Sequence, residues 1–245
     1  MLLEARAVTV RFGGLVAVDE VSAQFRAGEL VGIIGPNGAG KTTFFNALSG
    51  VTAPTSGELV VAGERLTGAP PDRYARRGIA RTFQTPRVFA ELTVGANVDF
   101  GLQFAGRGRD APAALKDAAA ILALIGLDGQ AGLPAAVITP SQQRLLEIGM
   151  ALATRPRLLL LDEVAAGLTE SEVEHTAQLI RRLRDELGLA VIWIEHAVTT
   201  LLRHVERVLV LHQGRRLADA APDEVVRNPE VVEAYLGDEM AQDAQ

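Results

Sequence analysis

The chain has no cysteine, so disulfides and thiolate metal sites are excluded, which fits a reducing compartment. It has only two lysines, Lys41 and Lys116, against 22 arginines. No block of like charges occurs and the formal net charge is −6, which argues against nucleic acid as the main partner. No apolar run reaches the roughly 18 residues that a bilayer span needs, so any membrane is expected to be met through a partner. Met1-Leu2-Leu3-Glu4 lacks a basic start followed by an apolar stretch, and no signal peptide is expected. Neither a repeat of solenoid period nor a low-complexity segment is evident. What is there is a chain of 245 residues, 48% of them apolar. That suffices for one large domain, or for a core with an inserted subdomain.

The most informative stretch is Gly35-Pro36-Asn37-Gly38-Ala39-Gly40-Lys41-Thr42-Thr43. The apolar run Leu30-Val31-Gly32-Ile33-Ile34 before it reads as a buried parallel strand, and Phe44-Phe45-Asn46-Ala47-Leu48-Ser49 after it reads as helix. This is the G-x-x-x-x-G-K-T phosphate loop in its strand–loop–helix setting. Gly38 and Gly40 let backbone N–H groups turn inward as an anion nest, and the helix N-terminus adds its positive dipole end. Lys41 is placed to reach the β- and γ-phosphates of a nucleotide, and the Thr42 hydroxyl to ligate Mg²⁺. In a chain so biased to arginine, a lysine here marks a place where a compact charge suits the loop.

Upstream, Leu3-Val10 and Val16-Phe25 read as two strands joined by Arg11-Phe12-Gly13-Gly14. Phe12 is placed either to stack on a base or to pack in the core beside the turn. Residues 57–63 read as a further strand and turn, and Pro70-Pro71-Asp72 opens a short helix over 73–77. The run Ile79-Ala80-Arg81-Thr82-Phe83-Gln84 reads as a strand ending on a polar residue, followed by an irregular stretch over 85–92. Residues 93–153 look helical, with a break at Gly106-Arg107-Gly108-Arg109, one helix over 113–125 and a stop at Gly126. The core resumes with Leu158-Leu159-Leu160-Leu161-Asp162-Glu163, an apolar run suited to a strand covered on both faces. Thr169 and Glu172 form a capping box ahead of a helix, and Ala190-Val191-Ile192-Trp193-Ile194 repeats the buried-strand pattern before Glu195-His196. Residues 207–212 and 215–220 form a strand and its return. Asn228-Pro229 caps a last helix that is expected to end just before Gly237.

Strands alternating with helices imply an α/β fold with a mostly parallel sheet, whose ligands gather at strand C-termini. Four polar positions follow apolar strands: Gln84, Asp162, Glu163 and His196. If their strands neighbour the phosphate-loop strand, all four converge on one nucleotide. Asp162 would then hold Mg²⁺, Glu163 would face the attacking water as general base or orienter, His196 would donate to the γ-phosphate, and Gln84 would touch Mg²⁺ or water. His175, His204 and His212 read as structural.

In that order, Phe12, the phosphate loop over 35–42, Gln84, Asp162-Glu163 and His196 resemble the motifs of the ATP-binding subunit of ABC (ATP-binding-cassette) transporters, over residues 3–237. Arg11-Phe12-Gly13-Gly14, Arg81-Thr82-Phe83-Gln84 and the segment from Asn228 to Gly237 are similar to the branched-chain amino acid importer subfamily. The resemblance implies a P-loop NTPase core with an antiparallel β subdomain over 1–84 and 154–237, an inserted α-helical subdomain over 85–153, and a tail over 238–245. It implies ATP and Mg²⁺ as cofactors. Phe12, Val18, Asn37, Gly38, Ala39, Gly40, Lys41, Thr42 and Thr43 would bind nucleotide, with Thr42, Gln84 and Asp162 at the metal. It implies an importer of two ATPase subunits, two membrane permeases and an external solute-binding protein, this chain lying at the cytoplasmic face of the inner membrane. The alternative is a nucleotide-binding regulatory or scaffold protein with little turnover.

The sequence also departs from that pattern. The family signature, Leu-Ser-x-Gly-Gln or a close relative, falls on Ile138-Thr139-Pro140-Ser141-Gln142. Its central glycine is Ser141, and Pro140 removes a backbone donor. In the family this loop meets the γ-phosphate held by the other subunit, so Ser141 and Gln142 would complete the partner's site. If the glycine conformation were left-handed, serine would cost about 1–2 kcal/mol. Leu145 and Met150 replace usual arginines, and Val164 replaces the usual proline. These departures suggest a pair of subunits with one competent and one impaired site.

Overall fold

The computed structural model describes residues 1–105, 112–195 and 198–242, with the side chains of 236–242 left aside. In chain order the strands are β1 (Leu3–Phe12), β2 (Leu15–Phe25), β3 (Leu30–Ile34), β4 (Ser56–Val61), β5 (Glu64–Arg65), β6 (Ile79–Arg81), β7 (Leu158–Asp162), β8 (Ala190–Ile194), β9 (Arg207–His212) and β10 (Arg215–Ala220). The helices are α1 (Lys41–Leu48), α2 (Pro71–Arg76), α3 (Val94–Leu102), α4 (Ala118–Ile125), α5 (Pro140–Ala153), α6 (Glu170–Leu187), α7 (Val198–His204), α8 (Pro222–Val225) and α9 (Pro229–Gln242).

Two sheets form. β2-β1-β4-β5 is antiparallel. The second has the order β10-β9-β3-β8-β7-β6, parallel from β9 to β6, with β10 antiparallel at one edge. The central strands are buried on both faces, and side-chain alternation divides them between two cores. Val31, Ile33, Leu158, Leu160 and Ile192 pack with α1 and the antiparallel sheet. Leu30, Ile34, Leu159, Leu161, Val191 and Trp193 pack on the opposite face with the apolar sides of α4, α5 and α6. This is why these runs read as continuously apolar.

Three expectations needed correction. The helix over 113–125 is a single 3₁₀ turn, Ala113–Leu115, followed by α4, because Asp117 caps a new helix by accepting from Ala120 N–H (2.8 Å). The strand expected to reach Gln84 ends at Arg81, which leaves Gln84 on the following loop. α9 continues through Gly237 to Gln242, since a glycine inside a helix costs only about 1 kcal/mol. The break expected at 106–109 lies outside the described residues.

Candidate functional site

The site is built on the C-terminal edge of the parallel sheet. β3 runs into Gly35, whose Cβ, if it had one, would lie 2.1 Å from the Leu211 carbonyl oxygen of β9. The loop closes at Gly40, which caps α1 at φ 95° with the Ala17 carbonyl oxygen 2.3 Å from a Cβ position. Only glycine satisfies both the positive φ and the close approach. The loop is thus wedged between β2 and β9, and the first-turn N–H groups of α1 open toward a cleft. Lys41 folds back across the loop, its Nζ donating to the carbonyls of Gly35 (2.7 Å) and Pro36 (2.9 Å).

The cleft measures about 390 Å³. Its walls are Phe12, Leu15, Val16 and Ala17 on one side, residues 37–43 at the base, and Gln84 and Glu163 opposite. Phe12 ends β1 and is 53% exposed, so it is a wall of this cleft rather than a core residue. Val18 is not in the cleft: it is fully buried in the core shared with the antiparallel sheet. The register slips between the pairs Val10–Val18 and Arg11–Val16, and that irregularity leaves Val18 with the core while Val16 and Ala17 reach the cleft.

Gln84 and Glu163 are brought together, with Gln84 Nε2 donating to Glu163 Oε2 at 2.7 Å. Glu163 sits at φ 51°, a left-handed conformation that a residue with a Cβ adopts at a cost of about 1–2 kcal/mol. Its N–H donates to the Ile194 carbonyl, which holds this turn to the end of β8 (3.0 Å). Asp162, one residue earlier, is buried, and its carboxylate pairs with Arg81 at 3.3 Å. His196 lies outside the described residues.

Sequence reasoning missed two supports of this arrangement. Arg81 donates to Asn46 Oδ1 (2.8 Å) and Ser49 Oγ (2.9 Å) of the α1 segment and to Asp162, with its guanidinium against the rings of Phe45 and Phe83. Burial lowers its pKa, and Asp162 opposes that shift. Glu195 is buried and its Oε1 accepts from Ala165 N–H (2.7 Å) and Trp193 Nε1 (3.0 Å), fixing the turn that follows Glu163. The only signal for either was a charged residue at the end of an apolar strand.

Ser141 and Gln142 do not line the cleft. They stand in the first turn of α5, capped by Thr139: Gln142 N–H donates to Thr139 Oγ1 (3.2 Å) and Thr139 N–H to Gln142 Oε1 (3.0 Å). Ser141 has no positive φ, so the conformational strain considered for it does not arise. Pro140 occupies the first helical position, where the N–H has no intrahelical partner anyway. Ser141 Oγ lies 3.0 Å from Thr139 Oγ1, and Ser141 and Glu172 line the same cavity. Thr169, which caps α6, holds Glu172 below the usual carboxylate range, and Ser141 adds to this. This cavity, of about 320 Å³, is lined by this helix end, by Arg144, by residues 166–168 and by Glu172.

A glycine loop between a parallel strand and a helix, with an acid ending a nearby strand of the same sheet, defines a phosphate-loop nucleotide-binding domain. A family model described as "ABC transporter" matches residues 18–166, and one described as "Branched-chain amino acid ATP-binding cassette transporter" matches residues 215–241. The chain is 39% identical over 250 residues to the high-affinity branched-chain amino acid transport ATP-binding protein BraF of Pseudomonas aeruginosa, covering 97% of this chain and 98% of that protein. It is 40% identical over 251 residues to LivG of Salmonella typhimurium, of the same description, with the same two coverages. Among solved structures, the ADP conformation of an ATP-binding cassette of an ABC transporter superposes with a TM-score of 0.85 at 28% identity, over 96% of this chain and 98% of that one. A dimeric, post-hydrolysis cassette bound to ADP and Pi gives a TM-score of 0.78 at 26% identity, over 90% and 99%. The chain belongs to the ABC transporter family as an ATP-binding cassette, and it is an ATPase of that family.

Proposed function

We propose that this chain drives an importer of branched-chain amino acids or closely related small solutes, binding Mg²⁺-ATP in the cleft between Phe12 and the phosphate loop. The observation that carries the catalytic part is the Gln84–Glu163 hydrogen bond on one wall of that cleft, which Lys41 and Thr42 also line. The solute class rests on the relatives BraF and LivG and on the match over 215–241. That similarity to import proteins also weighs against a regulatory or scaffold role without turnover.

In this reading Phe12 stacks on the base, Asn37, Gly38, Ala39, Gly40 and Thr43 cradle the phosphates, and Lys41 exchanges its two carbonyl partners for phosphate oxygens. The donors are of the kind a hard cation takes: the Thr42 hydroxyl and the Gln84 carbonyl belong to cleft-lining residues, and the Asp162 carboxylate, buried and paired with Arg81, ends the strand just before Glu163. No group of three or more His, Cys, Asp or Glu able to hold a metal occurs among the described residues. Thr42, Asp162 and Gln84 would hold a Mg²⁺, which would supply neutralisation of the phosphate charge. Glu163 takes a proton from the attacking water or orients it, Gln84 positions Glu163, and His196 contacts the γ-phosphate.

The second ATPase subunit supplies its signature to this cleft, and Ser141 and Gln142 serve the partner's. Residues 85–153 act as a helical subdomain that moves against the core of 1–84 and 154–237. The permease docks beside Gln84, where the exposed Phe89, Phe100 and Phe104 form an edge-to-face run with centroids 4.8 and 5.3 Å apart. Buried Asn97 fixes Phe89 there by hydrogen bonds to both of its backbone groups (2.7 and 3.0 Å). In this reading the chain attaches peripherally at the cytoplasmic face; among the described residues no helix is long and apolar enough to cross a membrane. The test is ATP hydrolysis and amino acid uptake in vesicles holding this chain, its partner ATPase and the permeases. Uptake that is independent of ATP, or hydrolysis unaffected by branched-chain amino acids and their binding protein, would sink the reading.

A further inference from the structure

Glu147 is a buried acid on α5, only 5% exposed, with no part in the chemistry described above. Its Oε2 accepts from Phe83 N–H (3.2 Å) and its Oε1 from Arg87 N–H (3.0 Å). These N–H groups flank Gln84 on a segment where β6 has ended and α3 has not begun. No strand ladder serves them there, and a buried N–H needs an acceptor. A carboxylate offers two acceptor oxygens, whereas an amide offers one. Arg81 from β6 and Arg87 from the loop are the cations that act on Glu147. Both guanidiniums also lie against the ring of Phe83, at 4.6 and 4.1 Å, so the loop is folded around this one buried charge. Ser141 stands in the first turn of the same helix, six residues earlier, at the end that faces a partner subunit in the reading above.

We propose that Glu147 is a positioning residue for ATP hydrolysis: it clasps the backbone on both sides of Gln84, sets Gln84 against Glu163, and makes that placement follow the orientation of the signature helix. The inference rests on the assignment of Gln84 and Glu163 to the hydrolytic site. A rotation of α5 that engages a partner's nucleotide pulls on Phe83 and Arg87, because both are bonded to that helix. Gln84 then moves relative to Glu163. Neither loop sequence nor helix periodicity carries this link, since Glu147 looks like any polar residue in an amphipathic helix.

The experiment has two arms, both on the full chain. The first measures amide hydrogen exchange of Phe83 and Arg87 in wild type and Glu147→Gln, with Ala96 and Gln142, capped by Thr93 and Thr139, as internal controls. The expected result is exchange at least about tenfold faster at one of the two clasped amides, with both controls unchanged. The second arm measures ATP hydrolysis in the assembled transporter for Glu147→Gln, Gln84→Ala and the double variant. Glu147→Gln is expected to lower kcat about tenfold with KM for ATP within about twofold, and to cost little more once Gln84 is gone. Unchanged exchange at both clasped amides overturns the proposal, as does a loss that adds in full in the Gln84→Ala background. If wild type hydrolyses ATP but Gln84→Ala is as active as wild type, the site assignment has failed, and the exchange arm still decides whether the clasp exists.

Discussion

At the scale of single residues, the cleft is held by side chains that each do one geometric task. Glu163 keeps a left-handed backbone and an amide partner, Gln84, on the same wall of the cleft. Glu163→Gln preserves size but loses the carboxylate proposed as base or orienter; hydrolysis is expected to fall by about 10²-fold or more while fluorescent ATP analogues still bind. Gly40→Ala puts a Cβ at φ 95° against the Ala17 carbonyl, at a cost of about 2 kcal/mol or more. A fall in Tm of about 5 °C and weaker ATP binding are expected from calorimetry. Glu147 gives a pH signature. Burial, the largest influence, pushes its carboxyl up to about 7, against an ordinary value of 4.5, with its two N–H donors and Arg87 and Arg81 pulling the other way. The folded chain therefore binds more protons between those values. The stability this group contributes is fully present below about 4.5 and is lost as pH rises through about 7. The Tm difference between wild type and Glu147→Gln should accordingly move in the variant's favour between about pH 5 and about pH 8. A constant difference would contradict the shifted carboxyl.

At the scale of elements, the first turn of α5 and the N-terminus of α6 meet at one cavity lined by Ser141 and Glu172. In the proposed reading this helix N-terminus meets a partner's phosphate, yet Pro140 contributes no N–H, Gln142 spends its own on Thr139, and Glu172 adds a negative charge beside Ser141. On that reading an impairment of this end would be electrostatic and a matter of occupied donors, not of backbone strain. Ser141→Gly removes the hydroxyl beside Glu172, and Glu172→Gln removes the charge while keeping a capping-box partner for Thr169. Each is expected to raise ATP hydrolysis by the assembled pair a few-fold. No change in either would show that this helix end does not limit the rate. The elements themselves were largely legible. The phosphate-loop strand, the two apolar runs ending at Asp162 and Ile194, and the capping box at Thr169 all appear where their patterns lie, because burial on both faces and cap geometry are local demands. The split of 113–125 was less legible, since an aspartate cap inside an alanine-rich stretch competes with the helical pattern around it.

At the scale of the whole molecule, the cleft lies on one side of Gln84 and the exposed aromatic run Phe89, Phe100 and Phe104 follows it in the chain, with the helix carrying Ser141 tied to the segment between. Phe104 is 66% exposed and takes no part in the cleft. Phe104→Ser is expected to reduce co-purification of the chain with its permeases several-fold and to leave ATP hydrolysis by the free chain unchanged. The measurement is affinity capture from detergent-solubilised membranes together with a turnover assay. Full retention of the complex would remove this face from the docking surface.

The sequence by itself determined the phosphate loop, its flanking strand and helix, the parallel core and the acids at strand ends, because these rest on periodicity and on residue types that no other local structure tolerates so well. The subfamily was legible too, in the loops around Phe12 and Gln84 and in the C-terminal helix. Only the tertiary structure decided that Val18 is a core residue while Val16 and Ala17 face the cleft, since a register slip between β1 and β2 leaves no mark in either strand. Only it decided that Ser141 is unstrained, that Arg81 braces Asp162, and that Glu147 holds both flanks of Gln84. Those are contacts between groups far apart in the chain. Their energies depend on distance and burial, which a sequence pattern does not encode.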